Sequence, residues 1–141
     1  MDKNELLKPA VKRLLNDTEL NNLLEDSIPV IKGPRKPKDT EECITVNAPS
    51  APMDPDSKVY NGTMLINYYC PNYPSGNANI EKMGPVAKRI VDLFHDKPLE
   101  ISGYINFNLA VDEPMGPLWN SESPDQHFMS IRVNFNVIER W

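Results

Sequence analysis

The last fifteen residues of the chain, HFMSIRVNFNVIERW (127–141), alternate between apolar and polar side chains. The apolar positions are Met129, Ile131, Val133, Phe135 and Val137. The positions between them are Ser130, Arg132, Asn134 and Asn136. Strict alternation of this kind predicts a β-strand with one buried face. Apart from Arg132, the polar face carries amides and a hydroxyl, whereas charged side chains would be usual on a solvent-exposed face. The sequence therefore raises the question of what this face contacts.

A second stretch, residues 99–111, alternates in the same way and is expected to pair with the first. Its apolar face is predicted to hold Ile101, Gly103, Ile105, Phe107, Leu109 and Val111. Its polar face is predicted to hold Ser102, Tyr104, Asn106, Asn108 and Ala110. If the two strands pair, short polar side chains cover one continuous surface of a sheet.

Apolar side chains at helical spacing predict three helices, at 4–15, 18–25 and 80–95. Asp17 is the expected N-cap of the second helix. The third helix is amphipathic, with an apolar stripe formed by Ile80, Met83, Ala87, Ile90 and Phe94. Shorter strands are predicted at 28–31, 43–47 and 62–70.

This order of elements predicts an α+β fold. The expected architecture is an antiparallel β-sheet of four to five strands, with N-terminal helices and one amphipathic helix packed on one face. Because 141 residues leave room for one domain, we expect a single unit over 1–141. Within it, the helical region spans 4–25 and the sheet with its helix spans 28–141.

Composition limits the classes of function. The net charge of −5 argues against general attraction to nucleic acid or to anionic lipid. No stretch approaches the ~20 apolar residues of a membrane span, and the N-terminus does not resemble a signal peptide, so a soluble protein made in the cytoplasm is expected. Cys43 and Cys70 lie in predicted strands and are expected to be buried free thiols.

A search for catalytic or metal-binding patterns finds none. Cys43, Cys70, His95 and His127 lack the close spacing typical of zinc ligands. No serine or cysteine lies in a known nucleophile motif, and no glycine-rich phosphate loop is present. The acidic pairs fall in polar loops: Glu41 with Glu42, Asp54 with Asp56, and Asp112 with Glu113. We therefore expect no enzyme activity, no cofactor and no metal site.

Loops and loop aromatics are the remaining candidates for function. The segment 112–126 is too long for a tight hairpin, and its Gly, Pro and Trp residues indicate an ordered loop that makes contacts. Large aromatics outside the core are enriched at protein interfaces. The predicted interface residues are Pro29, Lys32, Arg35, Lys36, Tyr60, Tyr73, Met115, Leu118, Trp119 and Arg132. Trp141, at the end of the chain, is expected either to join them or to fold back onto the subunit.

In element order and hydrophobic pattern the chain resembles the tail-completion and tail-terminator (head–tail joining) proteins of tailed bacteriophages. Five stretches carry the resemblance, which covers about 6–140. They are LLNDTELNNLLEDSIPVIKGPRKPKDTEECITVN (14–47), KVYNGTMLINYYCPN (58–72), NIEKMGPVAKRIVDLF (79–94), LEISGYINFNLA (99–110) and HFMSIRVNFNVIER (127–140). The loops at 48–58 and 112–126 are longer than the family's usual pattern.

The resemblance implies a structural virion protein, located in the phage tail or neck after synthesis in the host cytoplasm. Such proteins form homo-oligomeric rings, commonly hexamers, that terminate the tail tube and join it to neck and connector proteins. DNA would only pass through the lumen, and no membrane is involved. One alternative is another neck ring, such as a head-completion protein. Alternatives of other classes are a small hydrolase or nuclease with an unrecognised site, and a monomeric binding module.

Overall fold

In the part of the chain that the computed structural model describes, three helices and seven strands follow one another in nearly the predicted order. The structure describes residues 3–25, 28–33, 41–50, 53–54, 59–120 and 124–139. The helices are α1 (Lys3–Asn16), α2 (Thr18–Leu24) and α3 (Ile80–Phe94). The strands are β1 (Val30–Lys32), β2 (Cys43–Ser50), β3 (Met53–Asp54), β4 (Val59–Pro71), β5 (Tyr104–Val111), β6 (Met115–Trp119) and β7 (Gln126–Glu139).

The strands form one mixed sheet in the order β1-β2-β4-β7-β5. Two short strands lie off this path, β3 beside β4 and β6 beside β7. All pairs are antiparallel except β1 with β2, which is parallel. The α+β class is confirmed, but the expected four to five strands were too few. The sequence pattern did not predict β3 and β6, because both lie in proline-rich segments of the kind that usually form loops.

The C-terminal strand behaves as its alternation predicts. It pairs with β4 continuously from Gln126 to Ile138, so β7 lies inside the sheet with neighbours on both sides. All five of its apolar positions from 129 to 137 are buried. This face carries the hydrophobic core, and residues from all three helices pack against it.

Helix α3 supplies most of the helical part of this core. Its buried residues are Met83, Val86, Ala87, Ile90, Leu93 and Phe94. Asn79 caps the helix by accepting a hydrogen bond from the backbone N–H of Lys82 at 3.2 Å. Ile80 was predicted to belong to the apolar stripe, but it is the first residue of the helix and is 60% exposed.

A β-bulge in β5 reverses part of the predicted facing. The pairing of β5 with β7 shifts between Asn106 and Asn108. Consequently Ile105 lies on the polar side of the sheet and is 46% exposed, whereas Asn106 is buried on the core side. The predicted facing is wrong at these two residues and also at Tyr104, which was expected on the polar face but packs against the core. It is right at Leu109, which is buried beyond the bulge.

Two arginines connect helix α3 to the two N-terminal helices through hydrogen bonds. Arg89 of α3 donates two hydrogen bonds to the carboxylate of Asp17, at 2.7 and 2.9 Å, and these lower the pKa of that carboxyl. Asp17 also caps α2, as predicted, by accepting from the backbone N–H of Leu20. Arg13 of α1 donates to three backbone carbonyls at the end of α3, those of Leu93, Lys97 and Pro98.

Candidate assembly surface

The side of the sheet away from the helices is called here the outer face, and asparagines line it. In the middle strands its residues are Asn61, Thr63, Leu65, Asn67, Tyr69, Phe128, Ser130, Arg132, Asn134 and Asn136. The Thr63 hydroxyl donates to Asn134 Oδ1 at 3.3 Å, and Asn134 Nδ2 donates to Asp112 Oδ1 at 3.3 Å. Amides that donate and accept locally give a polar surface of low net charge. The predicted Asn-rich face is thus present in the folded chain.

Apolar side chains interrupt this face toward one edge of the sheet. The rings of Tyr69 and Phe128 stack with centroids 5.1 Å apart, and Leu118 is the cross-strand neighbour of Phe128. Met115 and Ile105 are exposed on the same face. Aromatic and Met side chains of this kind are enriched where proteins contact one another.

That edge of the sheet consists of β5 followed by β6, which both pair with β7, and is called here the β5–β6 edge. The prediction that 112–126 is entirely a loop is therefore wrong, because β6 occupies its centre. Trp119 lies opposite His127 in the pairing with β7, and its side chain is 61% exposed. Trp119 lies on the helix-bearing face of the sheet. Its partner His127 is two residues from the buried Met129, and residues two apart in a strand lie on the same face.

A glycine is required where β6 approaches β7. A Cβ atom at Gly116 would lie 2.8 Å from the backbone oxygen of Phe128 and 2.9 Å from the sulfur of Met129. The φ angle of Gly116, +134°, is also one that side chains rarely permit. The neighbouring Gly116–Pro117 peptide bond is cis.

The opposite edge of the sheet holds an apolar groove. It has a volume of about 320 Å³ and lies between α1, α2 and β1. Its apolar walls include Leu15, Leu24, Ile28 and Val30. Leu15 is 49% exposed, so the groove opens to solvent.

The predicted interface residues do not gather in one place. Met115, Trp119 and Arg132 are exposed and Leu118 is half-buried, all on β6 or β7. Pro29 and Lys32 are exposed at the β1 edge, and Tyr73 is half-buried in the turn before α3. Arg35, Lys36 and Trp141 lie outside the described residues.

Tyr60 does not lie in a loop, which corrects the prediction. It belongs to β4, is 5% exposed, and packs edge-on against Tyr104 with ring centroids 5.7 Å apart. Its ring is part of the core, so little of it is available to a partner.

Among the described residues, the arrangement most similar to an active site is a cluster of polar side chains that includes Lys82 of α3. The Tyr68 hydroxyl donates to Glu42, which also forms an ion pair with Lys82 at 3.1 Å. Burial, followed by the hydrogen bond to Glu42, raises the pKa of Tyr68. Burial also raises the pKa of Cys70, so its thiol stays protonated and unreactive at neutral pH. The cluster thus ties β2, β4 and α3 together and offers no activated nucleophile.

No group of three or more His, Cys, Asp or Glu side chains in the described part of the chain is arranged to hold a metal ion. None of the described helices has the length and apolarity needed to cross a membrane. Cys43 and Cys70 are both buried and unbonded to each other, as predicted.

The sequence patterns missed three features of these surfaces. The bulge that exposes Ile105 has no sequence signal, because the alternation continues through it. The groove beside Leu15 arises from the packing of three separate elements. The pair Asp112 and Glu113 is visible in the sequence, but the hydrogen bond that Asp112 accepts from Asn134 on the outer face is not.

Comparison with known proteins shows that the chain shares its fold with solved structures. No protein-family model matches the chain, and no curated protein matches its sequence. Among solved structures, a chain in the virion of a native gene transfer agent particle is similar, with a TM-score of 0.70 and 13% sequence identity over 94% of this chain and 93% of that one. A second solved chain, described only by a sequence label, has a TM-score of 0.54 and 12% identity over 100% of this chain and 97% of its own. The chain therefore shares its α+β fold with a component of a virion particle.

Proposed function

We propose that this chain is a structural virion protein that forms a ring at the head-proximal end of a phage tail. In this role it terminates the tail tube and joins the tube to the neck. One observation carries the proposal: the fold matches a chain of a virion particle over 94% of its length. The resemblance of the element order and hydrophobic pattern to those of tail-completion proteins points to the same role.

The surfaces of the molecule suit assembly better than chemistry. An outer face lined by amides can border water, a neighbouring subunit or passing DNA at little electrostatic cost. The exposed Trp119 and Met115 are side chains of the kind that anchor protein interfaces. In this proposal the residues 1–141 act as one domain, the ring is a hexamer, and its partners are the tail tube and the neck proteins.

Imaging of the purified protein tests the proposal. We expect negative-stain micrographs to show closed rings with a central channel. A population of particles no larger than one 16.0 kDa chain at high micromolar concentration would contradict a ring-forming role.

Binding experiments separate the two virion roles that remain. A tail terminator binds the end of a polymerising tube and stops its growth, whereas another neck ring does not. Purified tube protein, allowed to polymerise with and without this chain, should give shorter tubes of uniform length when the chain is present. Unchanged tube lengths would favour the neck-ring alternative.

A further inference from the structure

The segment that follows α3 covers part of the β5–β6 edge. The backbone N–H of Asp96 donates to the oxygen of Leu109 at 2.9 Å, and the N–H of Val111 donates to His95 Nδ1 at 3.1 Å. Leu109 and Val111 are two residues apart in β5, so their backbone groups point to the same side of the strand. Because β7 pairs with the other side of β5, His95 and Asp96 occupy the position of a further strand.

The end of α3 fixes where the His95 ring lies. The backbone N–H of His95 donates to the oxygen of Val91 at 2.8 Å, so His95 is still attached to the helix. Asp96 then has a φ angle of +56°, in the left-handed region that Asp enters more readily than most residues. The N–H of Lys97 donates to the oxygen of Phe94 at 3.1 Å and closes the turn. The backbone therefore directs the imidazole toward the edge of β5.

The hydrogen bond from Val111 specifies the protonation state of His95. An N–H group can donate only to a ring nitrogen without a proton, so the neutral ring carries its proton on Nε2. Protonation places a second proton on Nδ1 and removes the acceptor of the Val111 N–H. It also gives the ring a positive charge, and Nε2 lies 3.4 Å from the carboxylate of Asp96. Because the His95 side chain is 50% exposed, the protonated ring can turn away from β5 into solvent.

Charged groups from several elements border this segment. Strands β4 and β7, which α3 also contacts, present apolar side chains of the core to the helix. The charged groups are Asp92 of α3, Asp96 and Lys97 after the helix, Arg13 of α1, which binds the Lys97 carbonyl, and Asp112 and Glu113 after β5.

We propose that His95 is a pH-sensitive cap of the β5 edge. Unpaired backbone groups on an edge strand are a template for pairing with another chain, and neutral His95 occupies such a group at Val111. As the pH falls through the range in which histidine gains its charge, the cap opens and the Val111 N–H becomes free. The bond between Asp96 and Leu109 joins two backbone groups that do not titrate, so it persists in both states. This device goes beyond the proposed function and does not depend on ring formation.

Hydrogen exchange of single amides in the full-length protein tests the proposal. Mass spectrometry with residue-level fragmentation gives the protection factor of each amide, which removes the intrinsic pH dependence of exchange, and it applies to a monomer or a ring. Between pH 8 and pH 5, the range in which histidine changes charge, the protection factor of Val111 should fall by roughly 3- to 10-fold, the effect of one hydrogen bond. The protection factor of the Asp96 amide should stay constant.

Three variants show whether His95 causes this change. In His95→Asn, Oδ1 accepts a hydrogen bond at either pH, so the protection of Val111 should no longer depend on pH. In His95→Ala, the protection should be low at both pH values, and the exposed position should let the variant fold, which circular dichroism verifies. His127→Asn is the matched control, because His127 is the other histidine of the chain and lies in β7, and it should keep the pH dependence of the wild type.

Two results would overturn the proposal. One is a protection factor of Val111 in the wild type that is equal at pH 8 and pH 5. The other is a pH dependence that persists unchanged in His95→Asn, since another group would then control the edge.

Discussion

At the residue scale, the buried side chain of Asn106 supports the β-bulge in β5 through its hydrogen bonds to the backbone. Its Oδ1 accepts from the backbone N–H of Leu99 at 2.8 Å. Its Nδ2 donates to the backbone oxygens of Asn108 and Asn136 at 2.8 and 2.9 Å. These bonds satisfy backbone groups on both sides of the bulge, so a buried amide occupies a core-facing position where an apolar residue would be usual.

Removing this amide should destabilise the fold. Asn106→Ala leaves three backbone groups without their partner, and each unsatisfied buried group costs roughly 1–3 kcal/mol. We expect the free energy of unfolding to fall by at least about 2 kcal/mol in urea titration. Asn108→Ala is the control: its side chain is exposed, and the expected change is within about 0.5 kcal/mol. Equal effects of the two substitutions would show that the Asn106 hydrogen bonds contribute little.

Asp17 makes the stability depend on pH in the acid range. The two hydrogen bonds from Arg89 lower the pKa of Asp17 below its usual 3.8. A carboxyl whose pKa is lower in the folded state stabilises fully above its unfolded pKa and loses that contribution as the pH falls through its folded pKa.

The substitution Asp17→Asn isolates this contribution, because asparagine keeps the helix cap and removes the charge. At pH 7 we expect the variant to be less stable by about 1–2 kcal/mol. This is less than the roughly 1.5–3 kcal/mol of a hydrogen bond to a charged group, because asparagine can still accept a hydrogen bond from Arg89. The difference should shrink progressively below pH 4. A difference in the free energy of unfolding that stays constant from pH 7 to pH 2.5 would contradict the proposed role of the ion pair.

At the element scale, the sequence predicts long periodic segments well and short irregular ones poorly. Helix α3 and strand β7 were predicted almost to their ends, because each carries a full apolar stripe of the correct period. Strand β6 was missed because its five residues, MGPLW, contain a Gly and a Pro and show no alternation. It exists because β7 extends past β5 and offers an edge to pair with, and that pairing depends on residues far away in the chain.

The same limit applies to the candidate surface. The importance of Trp119 followed from its residue type and its Pro-rich surroundings. Its position on an edge, and the groove on the other edge, depend on the strand order β1-β2-β4-β7-β5. No local pattern encodes that order, so the sequence indicated some of the contact residues but not their arrangement.

Arg13 couples α1 to the end of α3, and its removal should loosen the helical layer. The guanidinium binds three carbonyls at once and lies 5.4 Å from the centre of the Phe94 ring. We expect Arg13→Ala to lower the free energy of unfolding by about 1–2 kcal/mol, since three carbonyl oxygens lose a charged donor and the hydrogen bond to that of Leu93 is partly buried. Arg13→Lys should restore little of this, because an ammonium cannot reproduce the planar fork.

Lys12→Ala is the matched control for Arg13, because Lys12 is exposed on the same helix. Its effect in thermal and urea unfolding should stay within about 0.5 kcal/mol. Full rescue by Arg13→Lys would show that charge alone, without the geometry of the guanidinium, holds the two helices together.

At the scale of the whole molecule, the chain is a sheet covered by helices on one side, with two dissimilar edges. One edge bears the exposed Trp119, and the other bears the apolar groove beside Leu15. A head-to-tail contact between two different surfaces generates a ring when its rotation closes. A ring built from such contacts fits a role in a virion, as proposed from the shared fold.

The mass of the purified wild-type protein in solution tests the central claim most directly. Native mass spectrometry and light scattering, run over a range of concentrations, report the number of chains per particle. We predict a closed species, six times 16.0 kDa for the proposed hexamer, whose mass stops increasing once the ring is complete. A particle that remains at 16.0 kDa up to high micromolar concentration would contradict the claim that this chain builds a ring.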